Sequence, residues 1–214
     1  MPQPKTTLNG TPAAPTPDSA SAPRGALARL AGRIGWPFAK KAKPSPGKGS
    51  VDWKDIEYFD ETWKNRIRQM AAFVPPNSRV LDLGCGEMRL RGFLKDCVYI
   101  PVDYRARSPE TIVCDFNRGE FPDVRADVSF VSGCLEYIEN PAWFIGQIAI
   151  HSNICVISYC SIEHFNDPAE RAALAWKNSF DAKDVVALFM AKNMRVTAQT
   201  FLPETRNTVF RFVA

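Results

Sequence analysis

No stretch of this 214-residue chain approaches the roughly 20 consecutive apolar residues that a membrane-spanning helix needs, and no apolar signal core follows Met1. A cytoplasmic protein is therefore expected. Histidine is scarce: His151 and His164 are the two present, so imidazole chemistry has two addresses. Cysteine occurs as Cys85, Cys97, Cys114, Cys134, Cys155 and Cys160, but never as Cys-x-x-Cys. That spacing argues against zinc, and no metal is expected. Several of these cysteines fall within or beside apolar runs, which points to buried, reduced thiols. Basic charge is lacking where a nucleic acid would need it. Through Ser50 there are eight Lys+Arg and one Asp+Glu, a net +7, whereas the remaining 19 and 22 give −3. The basicity lives in the tail, so a nucleic-acid partner is not expected.

Large apolar side chains are also rare in residues 1–23, which are mostly Pro, Thr, Ala and Ser. Such a segment cannot bury enough surface to offset chain entropy, and disorder is expected. In residues 24–43, Leu27, Leu30, Ile34 and Phe38 recur at helical spacing among Arg24, Arg29, Arg33, Lys40, Lys41 and Lys43. A basic amphipathic segment of this kind suits a peripheral contact with an anionic membrane, docking on a protein partner, an organelle transit peptide or a solvated tail. Residues 44–50 (Pro-Ser-Pro-Gly-Lys-Gly-Ser) read as a linker, which divides the chain into a tail, 1–50, and one folded domain, 51–214. Trp53, Ile56, Phe59, Trp63, Ile67 and Met70 repeat every three or four residues, predicting an amphipathic helix over 52–74 that Pro75 and Pro76 stop.

The domain is organised around residues 79–87, Arg-Val-Leu-Asp-Leu-Gly-Cys-Gly-Glu. Residues 80–83 read as a buried strand, broken at Gly84 and Gly86 and followed by a helical pattern through Met88, Leu90, Phe93 and Leu94. Strand, glycine turn and helix let a backbone approach a ligand closely, although such a turn also occurs with no ligand. Further strands are expected at 98–102, 111–114, 127–132 and 154–159. The connection 104–110 is too short for a full crossover helix. Helices are expected at 141–150 and 182–190. Residues 160–180 lack a clear pattern and could form a lid or substrate wall. Residues 194–201 and 207–213 alternate apolar and polar around Pro203, predicting a closing antiparallel hairpin.

Asp82, Gly84 and Gly86 resemble the Asp-x-Gly-x-Gly first motif of class I S-adenosylmethionine-dependent methyltransferases. Two departures stand out: Met88 occupies the place of a third glycine, and Arg89 breaks the dinucleotide-binding spacing. The resemblance implies a Rossmann-like α/β fold, a mostly parallel seven-stranded sheet with an antiparallel C-terminal hairpin strand and helices on both faces. It also implies S-adenosyl-L-methionine as cofactor, held by Asp82, Gly84, Cys85 and Gly86. Asp103 would take the ribose hydroxyls, although acids also cap strand ends. Asp115 and Phe116 would read the adenine, with Ser132 and Gly133 near the sulfonium and residues 135–137 lining the cofactor. Trp53, Tyr58 and Trp63 would either touch substrate or pack. No Asn/Asp-Pro-Pro-aromatic motif follows the fourth strand, which argues against exocyclic amines of nucleic-acid bases as acceptors.

The acceptor expected from the resemblance is a small molecule or glycan-linked group, methylated on oxygen or nitrogen. The alternative is an inactive methyltransferase fold serving as a scaffold through its basic N-terminal segment. A hydroxyl acceptor profits from a general base. His164 follows the fifth strand on the cofactor side, whereas His151 precedes it at the far end. His164 is therefore the candidate base, with Glu163 and Tyr159 as neighbours.

Overall fold

The computed structural model describes residues 59–214. The tail, the basic segment 24–43, the linker, Trp53 and Tyr58 lie outside the described residues. Helix α1 (Glu61–Ala71) starts where Asp60 accepts a hydrogen bond from the Thr62 N–H at 2.7 Å, an N-cap that satisfies one unpaired helix donor. Within the described residues the expected helix 52–74 is thus shorter, since Phe59 precedes the Asp60 cap and the helix ends at Ala71. Strands β1 (Arg79–Leu83), β2 (Val98–Asp103), β3 (Ile112–Val113), β4 (Ala126–Ser132), β5 (Ser152–Tyr159), β6 (Arg195–Leu202) and β7 (Asn207–Val213) form one sheet. Its order is β3-β2-β1-β4-β5-β7-β6. Neighbours from β3 to β5 run parallel, and β7 lies antiparallel between β5 and β6. This is the expected hairpin ending.

Alternation along the strands sorts the core into two layers. On one face Leu81, Leu83, Val131, Cys155, Ile157, Phe210 and Phe212 pack beneath α2 (Pro141–His151) and α4 (Ala182–Met190), through Phe144, Ile145, Ile148, Val185 and Phe189. On the other, Val80, Val128, Phe130, Val156 and Val209 meet Met70 and Ala71 of α1 together with Leu90. Each fully buried side chain of this size contributes about 1.5–3 kcal/mol.

Two connections are abbreviated. The helical pattern after the glycine turn becomes only a short 3₁₀ helix, Arg89–Phe93, pinched between left-handed residues at Met88 (φ 55°) and Asp96 (φ 52°). The connection from β2 to β3 carries no helix and is a turn in which Thr111 Oγ1 accepts from the Arg107 and Ser108 N–H groups. That trimmed crossover follows the sequence expectation. A further short helix, α3 (Pro168–Ala173), lies between β5 and α4. No helix among the described residues is long and apolar enough to cross a membrane.

Candidate active site

Strand order reverses direction between β1 and β4, and the ends of the parallel strands there leave a crevice. A cavity of about 160 Å³ opens at that point. Its wall contains all nine residues expected to hold a cofactor: Asp82, Gly84, Cys85, Gly86, Asp103, Asp115, Phe116, Ser132 and Gly133.

The turn after β1 explains its glycines. Gly84 (φ 78°) lets its own N–H and that of Cys85 donate to the Val102 carbonyl at 2.9 and 3.0 Å. Gly86 (φ 50°) brings its N–H to Asp103 Oδ2 at 2.9 Å, and a Cβ there would stand 2.6 Å from the Phe59 ring. A side chain at either position would be strained and would fill the cradle. Met88, at the place of the third glycine, adopts the left-handed conformation nevertheless.

The carboxylates occupy distinct settings. Asp82 is buried and accepts from the Tyr99 hydroxyl at 2.7 Å. Burial, first of all, pushes its pKa up to about 7; the Tyr99 bond opposes this and nearby Asp103 adds to it. Asp103, at the end of β2, is buried with Oδ2 on the Gly86 N–H and Oδ1 paired with Arg107 Nε at 3.3 Å. Arg107 in turn lies over the Phe59 and Tyr104 rings at 5.6 and 5.4 Å. Asp115 caps the 3₁₀ turn Phe116–Arg118, accepting from the Asn117 N–H at 3.2 Å. Phe116 packs on Phe144 with centroids 4.9 Å apart.

The loop after β4 departs from expectation in detail. Residues Leu135–Tyr137 form a 3₁₀ turn that sends Leu135 into the core and buries Glu136, leaving Tyr137 and Ile138 on the cavity. Glu136 Oε1 accepts from the Cys160 N–H at 2.9 Å, while Oε2 has no hydrogen-bond partner among the described residues; burial raises its pKa. Asn117 clamps this loop, donating to the Tyr137 carbonyl and accepting from the Glu139 N–H, both at 2.9 Å. Trp63 of α1 also lines the cavity.

His164, Glu163 and Tyr159 are not brought to the cavity. After β5 the chain turns away from it, so the His164 ring stacks on Phe201 of β6 at 3.8 Å. Glu163 Oε2 accepts from the Ala182 N–H at the start of α4. Tyr159 is fully buried, its hydroxyl donating to Asn178 Oδ1 at 2.8 Å and accepting from the Phe180 N–H and Arg171 Nη2. In these positions the three side chains serve packing and capping.

Sequence reasoning missed Arg66, Arg107 and Asn117. Arg66 sits on the inward stripe of α1, where the helical spacing marks a buried position that a cation does not advertise. The six cysteines are free thiols, four of them buried and Cys97 and Cys134 half-buried.

No protein-family model matches the sequence, and neither does any curated protein sequence. Solved structures do resemble the chain. A methyltransferase of calicheamicin biosynthesis, in its S-adenosylhomocysteine-bound form, is 15% identical with TM-score 0.54. The match covers 71% of this chain and 54% of that one, so this chain spans about half its length. The 1,6-didemethyltoxoflavin-N1-methyltransferase of Burkholderia thailandensis is 16% identical with TM-score 0.57, covering 72% and 79%. The magnesium protoporphyrin IX methyltransferase of Synechocystis is 12% identical with TM-score 0.56, covering 78% and 90%. The fold is that of the class I S-adenosylmethionine-dependent methyltransferases.

Proposed function

We propose that the protein is an S-adenosylmethionine-dependent methyltransferase acting on a small-molecule or glycan-linked acceptor through oxygen or nitrogen. One observation carries this reading. The glycine turn and three carboxylates, distant in sequence, line one cavity at the switch point of the sheet. The donor set fits the cofactor: Asp103 would accept from both ribose hydroxyls, Asp115 from the adenine amino group, and the glycines leave room for the amino-acid end. The neighbours that bind S-adenosylhomocysteine share this fold, which supports the assignment.

When bound, the cofactor supplies an electrophilic methyl group on a sulfonium. The chain's own residues hold and shield it. Asp103 must exchange Arg107 for the ribose, and Phe59 must swing off Gly86 to admit the ligand. Trp63, Ile67 and Phe130 then wall off water, which favours a displacement whose charge disperses along the reaction. The N-terminal 50 residues form a separate tail in this reading, able to dock on a membrane or a protein. Incubating the full chain with cell extract and isotopically labelled methyl donor tests the assignment. Mass spectrometry should show one labelled product above a no-protein control; no transfer from any extract would contradict it.

A further inference from the structure

The cavity contains a buried cation that has no ion-pair partner among the described residues. Arg66 is only 6% exposed. Its Nε donates to Ser132 Oγ at 3.2 Å and its Nη1 to Asn207 Oδ1 at 2.8 Å, both neutral acceptors. Nη2 donates to none of the described residues. It lies over Gly133, where a Cβ would stand 2.9 Å from it. Among the described residues no carboxylate forms an ion pair with Arg66. Glu136 acts on it only at longer range, and burial shifts that carboxyl toward its neutral form. Retaining a buried guanidinium on neutral anchors is costly unless a ligand completes it.

The anchors also say which ligand. Ser132 ends β4 and Asn207 begins β7, with β5 between these strands. Arg66 therefore stands on the side of the cavity away from β2 and β3, whose Asp103 and Asp115 would clasp the adenosine. A sulfonium beside this guanidinium would be repelled unless an anion intervened. Trp63, with its ring 5.5 Å from the Arg66 guanidinium carbon, and Ile67 and Phe130 give the same corner apolar walls. A guanidinium offers its donors in a planar fork that matches a carboxylate.

We propose that Arg66 is the receptor for the methyl acceptor, and that this acceptor is a small carboxylic acid with an apolar body. The proposal rests on reading the cavity as a cofactor cleft. Its test uses full-length protein saturated with S-adenosylhomocysteine, with benzoate and benzamide as probes followed by saturation-transfer NMR. Benzoate should bind the wild type at least about 10-fold more tightly than benzamide, the size of one charge-assisted bond. Arg66→Gln should abolish that preference while keeping S-adenosylhomocysteine affinity within about 3-fold, and Arg66→Lys should keep part of the preference. If Arg66→Gln fails to melt cooperatively, Arg66→Lys carries the same comparison, with a reduced preference expected and an unchanged one contradicting the proposal. Equal binding of both probes, or of neither, to the wild-type complex overturns it. So does a loss of S-adenosylhomocysteine affinity above about 10-fold in Arg66→Gln with 5′-methylthioadenosine binding unchanged, since that assigns the guanidinium to the cofactor's carboxylate. Failure of the wild type to bind S-adenosylhomocysteine sinks the cofactor reading as well; the other outcomes sink the proposal alone.

Discussion

Asp82 is a carboxylate held where its charge is unwelcome. Its folded-state pKa, about 7, lies above the ordinary value of 3.8. Protonation therefore favours the fold. The stabilisation is complete below the unfolded value and is lost as pH rises through about 7. Asp82→Asn keeps an acceptor for the Tyr99 hydroxyl and removes the titration. Its stability relative to wild type should rise by about 2 kcal/mol between pH 5 and pH 8 in urea unfolding, while its affinity for S-adenosylhomocysteine falls. A pH-independent difference would contradict the account. Met88 makes a second case at this scale. A left-handed conformation costs an L-residue more than glycine, so Met88→Gly should gain about 0.5–1 kcal/mol by the same measurement. The two glycines were legible in sequence because positive φ and the close approach of Cys134 and Phe59 disfavour a side chain there, and the acids were legible through the motif resemblance. Arg66 was not, because periodicity reports burial and is silent on what a buried charge is kept for.

Among the elements, residues 160–180 were least legible and prove to be a knot. Arg171 donates to the Cys160, Phe165 and Asn178 carbonyls, the Tyr159 hydroxyl and Ser179 Oγ. Asn178 ties the segment to the loop after β4 through the Leu135 and Ile138 carbonyls. Such side-chain bonding has no period, so sequence patterning could not reveal it, and residues near the end of β5 looked available for chemistry. Tyr159→Phe should cost about 1–3 kcal/mol, since it leaves Arg171 and Asn178 short of a partner. Denaturation should show that loss with cofactor affinity unchanged; weakened binding with full stability would restore a role at the cavity. By contrast, α4 was foreseen from its helical apolar spacing, and the closing hairpin of β6 and β7 from two strand-like segments flanking Pro203, although β6 is largely exposed and β7 is buried on successive residues. The shortened helix after the glycine turn was misjudged because its apolar spacing suits either helix type, and the backbone at its ends decides: Met88 is left-handed at the start and Leu94 is extended at the end.

For the whole molecule, one sheet with two apolar faces accounts for both stability and site. The strand order brings the ends of β1, β2 and β4 together, which no local pattern announces; the ordered appearance of Asp82, Asp103 and Asp115 was the available clue. Both apolar layers of the sheet are built by side chains within the described residues 59–214. Removing residues 1–50 should therefore leave the thermal midpoint and the S-adenosylhomocysteine affinity within error of the full chain, as calorimetry would show. A lost transition would place part of the fold in the tail.

Titration calorimetry of S-adenosylhomocysteine into the full chain and into Asp103→Asn tests the central claim most directly. The account predicts saturable binding by wild type and at least about 10-fold weaker binding by the variant, whose amide cannot accept two charge-assisted bonds from the ribose. Absence of heat at millimolar ligand with folded wild type, or equal affinity for both proteins, would contradict it.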